Sequence, residues 1–141
     1  MTTADASKAL GPGGHNAPCS NKDFDFFYRG LEDRQLLVQK CASCGVLRNP
    51  PSPACGRCRS LKWEAVALSG RGRVHSYTVH YHPPLPGFTT PHPVALVAME
   101  EGIRFVGAMD GTPVASVAID QPVTVEFLRR GSVAAFRFRL A

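Results

Sequence analysis

The 141-residue chain has 44% hydrophobic and 19% charged residues and a formal charge of +5, a composition typical of a folded domain and not of a disordered or fibrous chain. It contains no apolar run near the roughly 18 residues of a transmembrane helix, and its N-terminus lacks the basic and apolar regions of a secretory signal. We therefore expect a cytoplasmic protein without a membrane segment, built as one domain or one small domain plus an appendage. Because the basic residues occur as short scattered pairs, charge alone does not separate nucleic acid from an acidic partner or a phosphate-bearing cofactor.

The first two segments in chain order are an arm and a short helix. Residues 1–20 are rich in Gly, Pro, Ser and Ala and predict a flexible N-terminal arm, in which Cys19 is a bystander. Residues 21–38 predict a helix capped by Asn21 and a strand that leads into the first cysteine pair. Gly30 is expected to end this helix. The aromatic face of the helix predicts either packing on the chain's own core or docking into a partner's groove.

Four of the five cysteines follow within residues 39–62, as two CxxC pairs separated by ten residues. Each CxxC turn can place two thiolates on one metal, so the spacing predicts a closed four-thiolate zinc site with a structural role. Gly45 and Gly56 are expected to supply the backbone freedom that such turns need. A four-thiolate iron site, a ribbon that has lost its metal and a redox CxxC are the alternatives. The expected ligands of the single Zn2+ are Cys41, Cys44, Cys55 and Cys58.

Residues 63–141 change to a period of two, with five or six strands separated by glycine turns. This pattern predicts a small antiparallel barrel or sandwich, and a five-stranded barrel is the economical choice. In the first long strand, Tyr77, Val79 and Tyr81 alternate with polar residues, which predicts that this face is buried. The fold class is therefore mostly β, with an N-terminal helix and a metal ribbon in front of the barrel.

Several stretches together resemble a known family: "QKCASCGVLRNPPSPACGRCRS", "WEAVALSGRGRVHSYTVHY", "PGF" and "VALVAMEEGIRFVGAM". They are similar to the zinc-ribbon/OB-fold proteins associated with acyl-CoA enzymes, from about Phe24 to the C-terminus. The resemblance implies a rubredoxin-like zinc ribbon over 39–62, an OB-fold barrel over 63–141 and the same four cysteine ligands. The matching barrel motif consists of Gly70, Gly72, Ser76, Tyr77 and Thr78.

The resemblance also implies a function, that of a non-catalytic accessory subunit. Members of the family bind and stabilise a thiolase-like enzyme, which is a thiolase, an acyltransferase or a lipid-transfer-protein-like retro-aldolase, and help to form its acyl-CoA site. A coenzyme A thioester would be the ligand of the complex, and a heterotetramer built on a thiolase-type homodimer is the expected assembly. The absence of a nucleophile-elbow motif and of a Gly-rich phosphate loop from the sequence agrees with this role.

Two groups of residues are candidates for contacts with a ligand or partner. The loop residues Pro86, Gly87 and Phe88 are expected to face a partner or substrate, together with His80 and His82 at the end of the preceding strand. These two histidines lie on one strand face, with His92 across the loop, so a second metal site or a proton shuttle is an alternative to ordinary exposed polar residues. The candidates for binding the coenzyme A phosphates are Arg71, Arg73, Arg129 and Arg130.

The alternative function is an OB-fold module that binds single-stranded nucleic acid. Such modules stack bases on aromatic side chains inside a basic groove. The residues available for this are Tyr77, Tyr81, Phe105, Arg71, Arg73 and Arg104. Since fold analogy is a weak basis for function, nucleic acid is the less favoured partner.

Overall fold

The structure, a computed structural model, describes residues 22–141. The predicted arm over 1–20, with Cys19, and the predicted cap Asn21 therefore lie outside the described residues. The elements in chain order are α1 (Asp25–Glu32), β1 (Leu37–Cys41), β2 (Leu47–Arg48), β3 (Trp63–Ala67), β4 (Arg71–His80), β5 (His92–Met99), β6 (Arg104–Ala108), a 3-10 helix (Val114–Ser116), β7 (Pro122–Arg130) and β8 (Val133–Leu140). The prediction of a mostly β fold with one N-terminal helix is confirmed. No helix in the described part of the chain is long and apolar enough to span a membrane.

Helix α1 differs from the prediction at both ends. Its N-cap residue is Phe24, so the helix begins later than a cap at Asn21 would place it. The prediction that Gly30 ends the helix is wrong, because α1 continues to Glu32. Gly30 is buried, and a Cβ atom there would lie 2.7 Å from the Leu37 side chain. Glycine is therefore needed for the close approach of the helix to β1, and not for termination.

The metal ribbon is built on a three-stranded antiparallel sheet in the order β2-β1-β3. The central strand β1 ends at Cys41, which lies opposite Trp63 of β3. The sequence pattern places the strand Trp63–Ala67 in the barrel, but in the structure it pairs with β1 and belongs to the ribbon sheet. The pairing of β1 with β3 therefore joins the segment that leads into the cysteine cluster to the segment that leaves it.

The second sheet has five strands in the order β6-β5-β4-β7-β8, all antiparallel. Its edge strands β6 and β8 approach each other at Gly107, where a Cβ atom would lie 2.6 Å from the ring of Phe138. The sheet thus curls into a nearly closed barrel, which confirms the predicted architecture. The interior is filled by side chains that are at most 4% exposed: Val74, Ala95, Val97, Met99, Met109, Val123 and Phe138.

Strand β4 corrects the prediction of a buried tyrosine face. Tyr77 is 40% exposed and Tyr81 is 57% exposed. The strand pairs with β5 over most of its length, but with β7 only at Arg71–Arg73, and a β-bulge interrupts it between Val74 and Ser76. Beyond the bulge, β4 has a neighbouring strand on one side only, so its side chains remain accessible even where their partners on β5 are buried.

Candidate metal centre

The four ribbon cysteines converge on one point. Their Sγ atoms all lie within 4.8 Å of one another, and they form the one cluster of three or more potential metal ligands in residues 22–141. Two Sγ–Sγ distances are 3.5 Å (Cys41 to Cys58) and 3.6 Å (Cys44 to Cys55). Because a tetrahedral Zn2+ with four thiolates has sulfur–sulfur separations of about 3.8 Å, the cluster fits a zinc ion.

Each CxxC pair forms a tight turn with the same backbone hydrogen bond. The N–H of Gly45 donates to the carbonyl of Cys41 at 3.0 Å, and the N–H of Arg59 donates to the carbonyl of Cys55 at 2.9 Å. Gly45 has φ of 77°, as predicted for a residue that needs glycine's freedom. In the second turn the positive φ falls on Arg59, at 62°, so the prediction that Gly56 would carry it is wrong.

Backbone N–H groups directed at the sulfur atoms favour thiolates. The N–H of Cys44 lowers the pKa of Cys41 to about 6. The N–H groups of Cys58 and Arg57 likewise lower the pKa of Cys55. The Ser60 backbone acts in the same direction on Cys58, but the neighbouring Cys41, Cys44 and Cys55 raise the pKa of the Cys58 thiol to about 11. The backbone thus favours thiolates at Cys41 and Cys55, whereas the neighbouring sulfur atoms oppose one at Cys58, and a cation bound among them would offset that repulsion.

Helix α1 packs on the barrel at β6 and β8. OB-folds generally bind their ligands on the face of the second and third strands, here β5 and β6, together with the adjacent loops, and Val106 of β6 remains 59% exposed. The ring of Phe27 stacks on Phe105 with a centroid separation of 5.9 Å and meets Phe136 edge-on at 6.1 Å. Phe105 is only 6% exposed, so it is not available to stack on a nucleic-acid base. The helix therefore packs on the chain's own core, the first of the two predicted alternatives.

A crevice of about 480 Å³ remains between α1, β6, β8 and the loop before β5. Its walls are mostly apolar and include Tyr28, Leu31, Val106 and Phe136. Phe88 from the loop and Arg130 from the end of β7 close one side. A ligand with an apolar group and a single polar group beside it would fit this crevice better than a polyanion.

A stack of rings holds the predicted contact loop against the barrel. The guanidinium of Arg130 lies 3.9 Å from the centroid of Phe88, whose ring is parallel to His92 at 5.0 Å. Arg130 also donates a 2.8 Å hydrogen bond to the carbonyl of Gly87. Pro86 and Gly87 are exposed at the tip. These contacts with Arg130 and His92 order the loop, while the residues at its tip remain exposed.

The three histidines near this loop occupy different environments. The rings of His80 and His92 are 5.3 Å apart. His80 Nε2 donates to the carbonyl of Pro83 at 2.7 Å, and His92 Nδ1 donates to the carbonyl of Thr89 at 3.1 Å. His92 is buried, whereas His82 is exposed. The two paired rings therefore help to shape the loop through hydrogen bonds to its backbone.

The arginines predicted to bind phosphate all have partners within the chain. Arg71 forms a bidentate pair with Glu100 at 2.9 Å, and Arg129 pairs with Glu32 at 2.8 Å. Arg73 donates to the backbone carbonyl of Asp120 at 2.8 Å, and Arg130 pairs with Asp110 at 2.7 Å. The side chain of Arg130 is 12% exposed, against 64% for Arg71 and 55% for Arg129. The side chains of Arg71 and Arg129 are therefore still partly accessible to solvent.

The buried carboxylate of Asp110 was missed by the sequence analysis, although it organises this end of the barrel. It accepts from Arg130 and lies 3.5 Å from Arg137. These partners are 20 and 27 residues away in the sequence, so no local pattern could have indicated them. Arg137 also donates to Glu126 at 2.6 Å, which extends the network across β7 and β8.

The Glu126 ion pair predicts a pH dependence of stability. The hydrogen bond from Arg137 holds the pKa of Glu126 below its ordinary value of 4.5. A carboxyl whose pKa is lowered by folding stabilises the protein at pH values above its pKa in the unfolded chain. This stabilisation is lost as the pH falls through its pKa in the folded protein. We expect Glu126→Gln to remove on the order of 1 kcal/mol of unfolding free energy at pH 7 and less at acid pH. Denaturant titrations from pH 7 to pH 3 measure this. The exposed Glu64→Gln is the control, and equal pH slopes for E126Q and the unchanged protein would contradict the prediction.

Fold and site together define a class of protein, a four-cysteine zinc ribbon joined to an OB-fold barrel. Two family models match the chain: the "ChsH2, rubredoxin-like zinc ribbon domain" over residues 29–64 and the "ChsH2, C-terminal OB-fold domain" over residues 65–128. The chain belongs to this ChsH2 family, also called DUF35. The resemblance read from the sequence is therefore confirmed.

Three relatives show the range of proteins that contain this unit. A probable enoyl-CoA hydratase alpha subunit of Thermomonospora curvata is 40% identical over 89% of this chain, which spans 38% of that protein. The benzoylsuccinyl-CoA thiolase subunit BbsA of Thauera aromatica is 28% identical over 68% of this chain and 71% of its own length. The solved structure titled "Ltp2-ChsH2(DUF35) aldolase" contains a chain that is 38% identical, with a TM-score of 0.82, over 88% of this chain and 98% of that chain.

Proposed function

We propose that this chain is a non-catalytic accessory subunit that binds and stabilises a thiolase-like enzyme and helps to form its coenzyme A thioester site. One observation carries the proposal. The relatives are described as a hydratase subunit, a thiolase subunit and part of an aldolase, yet all three share this ribbon and barrel. A unit found with three different reactions is not the carrier of any one of them, so the reacting groups belong to the partner.

In this proposal, the described cysteines and the paired histidines His80 and His92, whose side chains could otherwise take part in catalysis, have structural roles. All four described cysteines lie in one cluster that fits Zn2+, and a closed four-thiolate shell leaves no open position for substrate. We assign one structural Zn2+ per chain to Cys41, Cys44, Cys55 and Cys58. His80 and His92 use ring nitrogens to hold loop carbonyls.

The loop before β5 is our candidate for contact with the partner or its substrate. The Arg130–Phe88–His92 stack orders the loop in the free chain, so little conformational entropy is lost when it binds. Pro86, Gly87 and the exposed His82 are accessible at its surface. For the coenzyme A phosphates, Arg71, Arg73 and Arg129 are accessible and Arg130 is mostly buried. The assembly we propose is a heterotetramer on a thiolase-type homodimer.

Co-expression with a thiolase-like protein from the same genome tests the proposal. Size-exclusion chromatography with zinc analysis and an acyl-CoA cleavage assay would follow. We expect co-elution near one-to-one, one zinc per copy of this chain, and activity that requires both proteins. The proposal fails if the chain elutes alone, leaves the enzyme's activity unchanged and binds single-stranded oligonucleotides with a steep salt dependence.

A further inference from the structure

The positive charge of this protein is concentrated in the ribbon. No Asp or Glu occurs between Asp33 and Glu64, while six basic residues do. Since the whole chain has a formal charge of +5, the remainder sums to −1. The six residues are Arg34, Lys40, Arg48, Arg57, Arg59 and Lys62.

Most arginines of the barrel form ion pairs, whereas the ribbon cations form none with the residues that the structure describes. In the barrel, Arg71, Arg129, Arg130, Arg137 and Arg139 form ion pairs with carboxylates. None of the six ribbon cations forms an ion pair with a described residue, and all but Arg48 and Lys40 are exposed.

The metal cluster explains part of this excess but not all of it. Four thiolates around one zinc ion leave a net negative charge that nearby cations offset. Six basic residues exceed that charge, and the carboxylate that the ribbon sheet contributes, Glu64 of β3, lies opposite Lys40 and not among the other five cations. The exposed guanidinium and ammonium groups therefore present an uncompensated positive field to solvent.

Two apolar residues, Leu61 and Trp63, flank the cation Lys62 in the chain. Leu61 is 72% exposed and Trp63, at the start of edge strand β3, is 36% exposed. The Trp63 ring packs on Phe26 of α1 at a centroid distance of 4.8 Å, so its position is fixed. We call Arg57, Arg59, Leu61, Lys62 and Trp63 the ribbon patch.

We propose that the ribbon patch is the surface on which an acidic, apolar-centred face of the thiolase-like partner docks. This inference rests on the proposed function and names the docking surface and the charge of the partner's face. Protein interfaces are enriched in Trp and Arg and combine an apolar centre with a polar rim. A phosphate group alone would use the cations but would leave Leu61 and Trp63 exposed to water.

Charge reversal in the ribbon patch tests the proposal. The chain and the thiolase-like partner are mixed, and association rate and Kd are measured by biolayer interferometry at low and high salt. We expect Arg57→Glu with Arg59→Glu to weaken binding by about tenfold or more at low salt, chiefly by slowing association. Arg57→Lys with Arg59→Lys keeps the charge and the positive φ at Arg59, so it should remain within about twofold. Leu61→Ser should accelerate dissociation.

Each outcome bears on the proposal. Zinc content and unfolding are measured for every variant, so that loss of fold is recognised. If the unchanged chain binds the partner and the double Glu variant binds equally well, the ribbon patch is wrong while the proposed function stands. If the unchanged chain does not bind at all, both fail. If the double Glu variant loses binding to a single-stranded oligonucleotide but not to the partner, the patch is a nucleic-acid site and the proposal is overturned.

Discussion

Replacing Cys55 with serine is expected to abolish stoichiometric zinc binding and to lower the free energy of unfolding by roughly 4 kcal/mol or more, as is usual when a structural metal is lost. Cys55 is buried, its Sγ lies 3.6 Å from that of Cys44, and two backbone N–H groups lower its pKa. A serine hydroxyl is a poor ligand for Zn2+ at neutral pH, so the shell would lose one of four thiolates. Zinc quantification and thermal denaturation are the measurements.

The control for this variant is Ser43→Ala. Ser43 lies inside the first CxxC turn, and its hydroxyl donates to Ser60 and not to a sulfur atom. It should retain about one zinc per chain and nearly full stability. If the serine variant at Cys55 kept full zinc content and an unchanged melting temperature, the metal assignment would be refuted.

Replacing Phe27 with alanine is expected to cost about 3 kcal/mol of unfolding free energy, a typical value for a packed aromatic side chain. The ring contacts Phe105, Phe136 and Tyr28, with centroid separations between 5.4 and 6.1 Å. Its loss would leave a cavity between α1 and the barrel and weaken the attachment of the helix at β6 and β8. Urea denaturation measures the change, and zinc content should not move because the ribbon ligands are untouched.

Arg29→Ala provides the comparison within the same helix. Arg29 is exposed, and removing its side chain should alter the unfolding free energy by no more than about 0.5 kcal/mol. Equal stabilities of the two variants would mean that α1 does not depend on Phe27 for its attachment. The helix would then be free to dock elsewhere, as in the second interpretation of its aromatic face.

The sequence by itself indicated the metal cluster and the strand-rich barrel, because both depend on short-range patterns. Two CxxC pairs place four thiolates within reach of one ion almost regardless of the surrounding fold. Alternating strands between glycine turns favour an antiparallel sheet. Gly45 illustrates the same point, since its positive φ follows from the turn in which it lies. Local chemistry decided these features, and the structure agrees with them.

Only the tertiary structure decided which surfaces are occupied. Gly30 reads as a helix end, but the approach of Leu37 makes it an interior contact. Tyr77 reads as a core residue, but β4 extends beyond β7 and leaves it exposed. Arg130 is predicted to bind phosphate, and only the structure shows that it also pairs with Asp110, 20 residues away. Each of these depends on long-range pairing, which no local pattern encodes. The availability of a side chain for binding follows from what packs against it, and that is a property of the folded chain.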